Sequence, residues 1–239
     1  MLGKWWSVVK FRVFGSALMA LSIASGTAGA ATISVGDYTA SAYQAALASL
    51  GPVVTEGFEG ADLGEVAGGS ALSTAVGSFA TLGGAGTGQS VVGSGKNLAV
   101  RDGTVFGRSN STKGGARFLD SNDTWGISWT ATTGSLFDRL VFVLTDVADQ
   151  GVTWTMQVGE TVTSLSGLGN GSRKIVSVLF DDSVSSAQLT FANMRRGVYA
   201  TNDGFGIDDV AVNVAPAPVP LPAGVLLLTG ALGILGLWR

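Results

Sequence analysis

Apolar positions in this chain recur mostly at every second residue, in short runs separated by turn formers. Val152-Thr153-Trp154-Thr155-Met156-Gln157-Val158 puts Val152, Trp154, Met156 and Val158 on one face, the period of a half-buried strand. Trp125 to Thr130 alternates large apolar with small or polar residues. Val53 to Glu59, Val176 to Phe180, Ala187 to Ala192 and Ile207 to Val214 continue the series. Arg139 to Asp146 is apolar almost throughout, which predicts a central strand buried on both faces. Only Tyr43 to Leu50 has a helical pattern, and Gly51-Pro52 stops it. About ten strands in one stretch without a 20–50-residue repeat predict an all-β fold, a single jelly-roll-like β-sandwich.

Two further expectations concern the stretches between strands. Gly57 to Gly95 holds 12 glycines in 39 positions and reads as a long surface excursion that adds little to the core. Within it, Leu82 to Gly88 lacks a following Gly-Lys-Ser/Thr and reads as a flexible loop rather than a nucleotide site. Asp181-Asp182-Ser183 reads as a plain turn.

Both ends read as addresses. Lys4, Lys10 and Arg12 open the chain without an acid, and an apolar run from Val13 to Ile23 follows. Ala28-Gly29-Ala30 then offers small residues to signal peptidase, so residues 1–30 are expected to be a cleaved signal peptide. The alternative is an uncleaved N-terminal anchor. Residues 216–239 begin with a proline-punctuated entry, and sixteen uncharged residues run from Ala223 to Trp238 before Arg239. As a helix these span roughly 24 Å, short for a permanent crossing of the bilayer. Val219-Pro220-Leu221-Pro222-Ala223, the apolar helix and the basic end resemble the VPLPA type of PEP-CTERM sorting signals. That resemblance implies an exosortase-type sorting enzyme as partner, membrane contact through the C-terminal helix, and delivery to the surface or matrix of a Gram-negative bacterium. Family members usually end in a cluster of Arg, whereas this chain has Arg239 alone. An ordinary C-terminal membrane anchor is the competing reading.

Composition narrows the chemistry of the region between, residues 31–215. The whole chain has no His and no Cys, which excludes His-based triads, thiol nucleophiles, disulfides and sites ligated by His or Cys. Without residues 1–30 it has 11 basic and 17 acidic residues, a net charge of -6. An acidic surface of this kind does not neutralise phosphates, so no nucleic-acid partner is expected. It does favour divalent cations held by oxygen.

Three acidic clusters are candidates: Glu56-Gly57-Phe58-Glu59; Asp146-Val147-Ala148-Asp149-Gln150-Gly151; and Asn202-Asp203 through Asp208-Asp209-Val210. The first and third resemble the Phe-Glu and Asp-Asp-Val pair of galactose-binding-like modules. There they flank a structural calcium, which implies Glu59, Asp208 and Asp209 as metal ligands here. A Thr-Asp-x-x-Asp-x-Gly turn and a closing Gly-Ile-Asp-Asp-Val strand also resemble PEP-CTERM-type proteins, making Asp146 and Asp149 a second candidate pair. The plain alternative is that these acids solvate turns and cap strand ends. Acids at strand ends beside Gly suit metal better than a glycosidase pair, so no catalytic residue is expected.

Trp129, Trp154 and Phe142 sit on alternating strands and are expected to pack the core. Trp125 follows the polar Asp120-Ser121-Asn122-Asp123-Thr124 and is the candidate ligand-binding ring. The functional expectation is an exported, non-catalytic structural or adhesive protein of the envelope or extracellular matrix. The alternative is a calcium-assisted carbohydrate-binding module that recognises extracellular polysaccharide.

Overall fold

A computed structural model of the chain describes residues 30–66, 71–84, 96–122, 124–195 and 198–214, with backbone alone at 194–195 and 198–202. The signal segment before Ala30 and the sorting segment 216–239 lie outside the described residues. Among the described residues, no helix is long and apolar enough to cross a membrane.

The described residues open with β1 (Ala31–Asp37), the helix α1 (Ala40–Leu50), the single one among them, and β2 (Val53–Glu56). Short strands follow: β3 (Gly64–Glu65), β4 (Leu72–Thr74), β5 (Gly77–Thr81), β6 (Ala99–Asp102), β7 (Thr104–Val105), β8 (Arg108–Ser109) and β9 (Arg117–Asp120). The longer ones come next: β10 (Gly126–Ala131), β11 (Phe137–Thr145), β12 (Thr153–Val158), β13 (Thr161–Ser166), β14 (Arg173–Val184) and β15 (Ala187–Arg195). Two more, β16 (Val198–Asn202) and β17 (Gly206–Asn213), complete the series. One sheet runs β1-β14-β11-β17-β9-β6-β3, with β2 also on β17; the other runs β13-β12-β15-β10-β5-β4, with β16 on β15. β7 and β8 form a separate ribbon. The architecture is the all-β sandwich that the alternating pattern predicts.

Inward-facing aromatics hold the two sheets together. Trp129 stacks on Phe79 at 5.2 Å and meets Phe142 of the opposite sheet edge-on at 6.0 Å. Phe142 also meets Phe191, on which Trp154 stacks. Both tryptophans are fully buried, so they pack the core as their strand positions predict.

β11 shows why a central strand can be apolar at every position. Leu140, Phe142 and Leu144 face the sandwich core. Val141 and Val143 face the other way, where Tyr43 and Leu50 of α1 cover them together with Ile175 and Ala211. Thr39 caps the helix by accepting the Ala42 N–H at 3.0 Å, and Gly51 ends it at φ +75°.

Two expectations are corrected. Asp181, Asp182 and Ser183 are not a turn: β14 runs on through them to Val184, which pairs with Phe137. Buried Phe180 and Val184 anchor the strand on either side of the three exposed residues. The glycine-rich region, in turn, does build core, because Phe58, Val76 and Phe79 are fully buried. Glycine there permits close strand pairing: a Cβ on Gly77 (φ +113°) would sit 2.0 Å from the Thr130 carbonyl oxygen.

Candidate functional site

Buried polar side chains gather at one end of the sandwich. Thr145 pairs with Gly206 and Arg173, Gly206 with Asp120, Ala192 with Gly126, and Met194 with Thr153, so these strand ends share one rim. Arg108, Asp120, Ser121, Asn122, Thr145, Asp146, Asp149, Asn193 and Asp208 are all buried there. Left-handed non-glycine residues concentrate on the same rim, among them Phe106, Asn122, Asp146, Ala148, Gln150 and Asp209. Such backbone costs energy and persists only where surrounding contacts enforce it.

The first and third acidic clusters do meet, through a loop the sequence did not single out. The pairing of β17 with β11 shifts register between Val141 and Val143, and Asp209 bulges out at φ +49°. On its other side β17 pairs with β9 at Gly206–Ile207 and with β2 from Val210 onward, leaving Asp208 and Asp209 between partners. The loop from Asn110 to Arg117 fills that gap. Asp208 Oδ2 accepts the Ser111 N–H at 2.6 Å and the Thr112 N–H at 3.0 Å. The Ser111 and Thr112 hydroxyls, with one proton each, lie within hydrogen-bond distance of both aspartates, Thr112 nearest to Asp209 at 2.7 Å. Glu59 holds the far end of the loop: its Oε1 accepts the Ala116 and Arg117 N–H groups, both at 2.8 Å, and the Asn110 amide. A Cβ on Gly115 would lie 2.3 Å from that oxygen, so glycine lets the carboxylate reach the backbone.

This geometry bears on the calcium expectation for Glu59, Asp208 and Asp209. N–H and O–H protons already point at the oxygens a cation would use, so the set does not fit a calcium ion as arranged. Among the described residues no three acidic side chains are grouped to hold a metal ion. Burial nevertheless raises the Asp208 carboxyl to about 6, against the pull of the Ser111 and Thr112 N–H groups.

Arg108 occupies the centre of the polar rim. It is fully buried, with Nε 3.3 Å from Asp120 Oδ1, and Asp120 is fully buried too. Arg101 approaches Asp120 at 3.8 Å and donates to Asn122. Asp146 and Asp149 lie in the turn between β11 and β12, at 2 % and 3 % exposure. Burial raises the Asp146 carboxyl to about 6, even though the Gly171 N–H donates to it at 2.7 Å.

Trp125 is 39% exposed and lies against the backbone of Gly84, where an added Cβ would be 2.2 Å from its Nε1. The polar stretch before it is largely buried. Asp120, Ser121, Asn122 and Thr124 are buried and bind Arg108, Phe205 and their own loop, while Asp123 lies outside the described residues. An open hollow of about 460 Å³ lies elsewhere, between α1 and the Asn110–Arg117 loop. Tyr38, Ser41, Tyr43, Gln44, Ser111, Lys113 and Asp209 line it. The Tyr38 hydroxyl donates to the Ser111 carbonyl and the Tyr43 hydroxyl to the Asp209 carbonyl, which ties the helix end to the loop. Burial and the nearby Asp209 charge push the Tyr43 hydroxyl well up, so it stays a donor.

No family model matches the chain, and no curated protein matches it. Solved structures that resemble part of it include the following two. The insecticidal crystal protein CRY2AA aligns over 41% of this chain and 17% of its own, at 10% identity and a TM-score of 0.27. The CBM22-1–GH10 modules of Clostridium thermocellum endo-1,4-beta-D-xylanase 10B, complexed with xylohexaose, align over 52% of this chain and 26% of their own. The identity is 15% and the TM-score 0.28. At these scores neither likeness bears on what this chain does.

The residues that sequence reasoning passed over are Arg108, Ser111, Thr112, Tyr38 and Tyr43. Asn110-Ser111-Thr112-Lys113-Gly114-Gly115 has no apolar period, so its only signal is a run of short donors.

Proposed function

We infer that this chain is an exported, non-catalytic β-sandwich with a structural or adhesive role at the cell envelope or in the extracellular matrix of a Gram-negative bacterium. The observation that carries the non-catalytic reading is the inward use of Glu59, Asp208 and Asp209 as staples for a single loop. Acids whose oxygens are taken up by the donors of one loop are turned away from a substrate's protons. The address rests on Val219 to Ala223 and the apolar run after it. A chain ending at Ala215 is expected in the soluble exported fraction, with the full chain in the envelope fraction. Identical fractionation of the two removes the sorting role of the tail.

A second reading, binding of extracellular polysaccharide, is favoured by the hollow beside α1. The half-buried Tyr38 beside the Gln44 amide, the Lys113 ammonium and the Asp209 carboxylate suits a sugar ring and its hydroxyls. Co-sedimentation of the full chain with the producing cell's own polysaccharide, in calcium and in chelator, tests it. Saturable pelleting is expected, weakened about fivefold by losing one or two hydrogen bonds in Gln44→Ala or Lys113→Ala. Absence of pelleting from folded protein leaves a structural scaffold.

A further inference from the structure

We propose that the Asp146–Gly151 turn, together with Asn170 of the facing loop, binds a divalent cation of the calcium type. Two carboxylates converge on this turn, at 2 % and 3 % exposure, and among the described residues neither has an ion-pair partner within 4 Å. Arg108, the nearest buried cation, is committed to Asp120 at 3.3 Å. Asp149 supplies the observation that points to a ligand. Its Oδ1 is buried without a hydrogen-bond partner among the described residues, while Oδ2 accepts only the Gln150 amide at 3.3 Å.

The oxygens around Asp146 converge in the same way. Asp146 Oδ1 and Asn170 Oδ1 lie 2.4 Å and 2.7 Å from where a Cβ on Gly107 would stand, so the two oxygens lie within about 5 Å of each other. Gly107, at φ +105°, lets both approach its backbone. Burial is the main cause that raises the Asp146 carboxyl, and the Asp149 charge adds to it. A buried pair of this kind is relieved by a proton or by a cation. The donors are carboxylate, amide and peptide oxygens on a turn rather than on rigid strands. That suits calcium, which accepts six to eight oxygens in flexible geometry, better than magnesium, which demands a strict octahedron. This site is separate from the hollow beside α1 and from Glu59, Asp208 and Asp209, which each accept two or more donors, whereas Asp146 accepts the Gly171 N–H and Asp149 Oδ1 accepts none.

Thermal unfolding of the full chain in chelator, and then in calcium at about 10 mM, above the 10⁻⁴–10⁻³ M range of extracellular sites, tests the assignment. Calcium is expected to raise the melting temperature by roughly 5 °C. In Asp149→Asn that rise disappears, while its melting temperature in chelator equals or exceeds that of the unsubstituted chain. Asp208→Asn keeps the rise, which separates the two acidic clusters. Asn170 is exposed and its replacement spares the core, so Asn170→Ala, with an expected tenfold weaker response, serves if Asp149→Asn does not fold. A melting temperature indifferent to calcium, or a rise undiminished in both Asp149→Asn and Asn170→Ala, overturns the proposal.

Discussion

Arg108→Ala is expected to lower the free energy of unfolding by about 3–5 kcal/mol, read from the urea midpoint. The size follows from what stays behind. Asp120 is fully buried, and Arg101, another cation beside it, stands 3.8 Å away against 3.3 Å for Arg108. Stranding a charge in a poorly polarisable interior costs far more than the net value of the pair itself. Arg108 also fills volume beside the Phe106 ring, 5.9 Å from its guanidinium carbon, so alanine opens a cavity as well. Removing both charges with volume kept, in Arg108→Met with Asp120→Asn, is expected to recover most of the loss. A single-variant loss below about 1 kcal/mol would place the pair among weak surface bridges.

The second large effect concerns Asp208. Asp208→Ala leaves the Ser111 and Thr112 N–H groups without their acceptor, at about 1–3 kcal/mol for each buried donor. Asp208→Asn behaves differently because it resembles the protonated acid: an acceptor oxygen remains, and the amide donates where the carboxyl proton would. Burial raises Asp208 from 3.8 to about 6, so the folded chain holds that proton more tightly than the unfolded one. The stability this contributes is fully present below about pH 4 and is lost as the pH rises to about 6. In chelator, the difference in stability between Asp208→Asn and the unsubstituted chain therefore grows from pH 4 to pH 6 in favour of Asn. It reaches on the order of 2 kcal/mol and is flat above pH 6. A difference that does not change with pH would mean Asp208 stays ionised throughout.

What the sequence made legible was set by range. The strand pattern of β11 and β12, the burial of Trp129 and Trp154, and the helix before Gly51 all follow from neighbours within a few residues. The meeting of the first and third acidic clusters was also readable, because strands near the two ends of a sandwich lie side by side. The way they meet was not. Asp208 finds its donors 96 and 97 residues earlier, in a loop without periodicity, and only the folded register brings them together. Glycine misled for a related reason. In Gly57 to Gly95 it signalled looseness, whereas Gly77 allows close contact between backbones and precedes a buried Phe79. Asp181 to Ser183 misled because turn residues say nothing about a strand held by apolar anchors on both sides.

The place of β17 sets the order in which this domain is completed. It is the last strand of the sandwich, yet it lies inside the first sheet, between β11 and both β9 and β2. As the polypeptide leaves the ribosome, β2, β9 and β11 remain without their shared neighbour until residues 206–213 emerge. A sheet closed by its final segment has high contact order, and such sheets form slowly. Under the export proposed above, in which the chain crosses a membrane as an extended thread, that delay would keep it threadable until its destination.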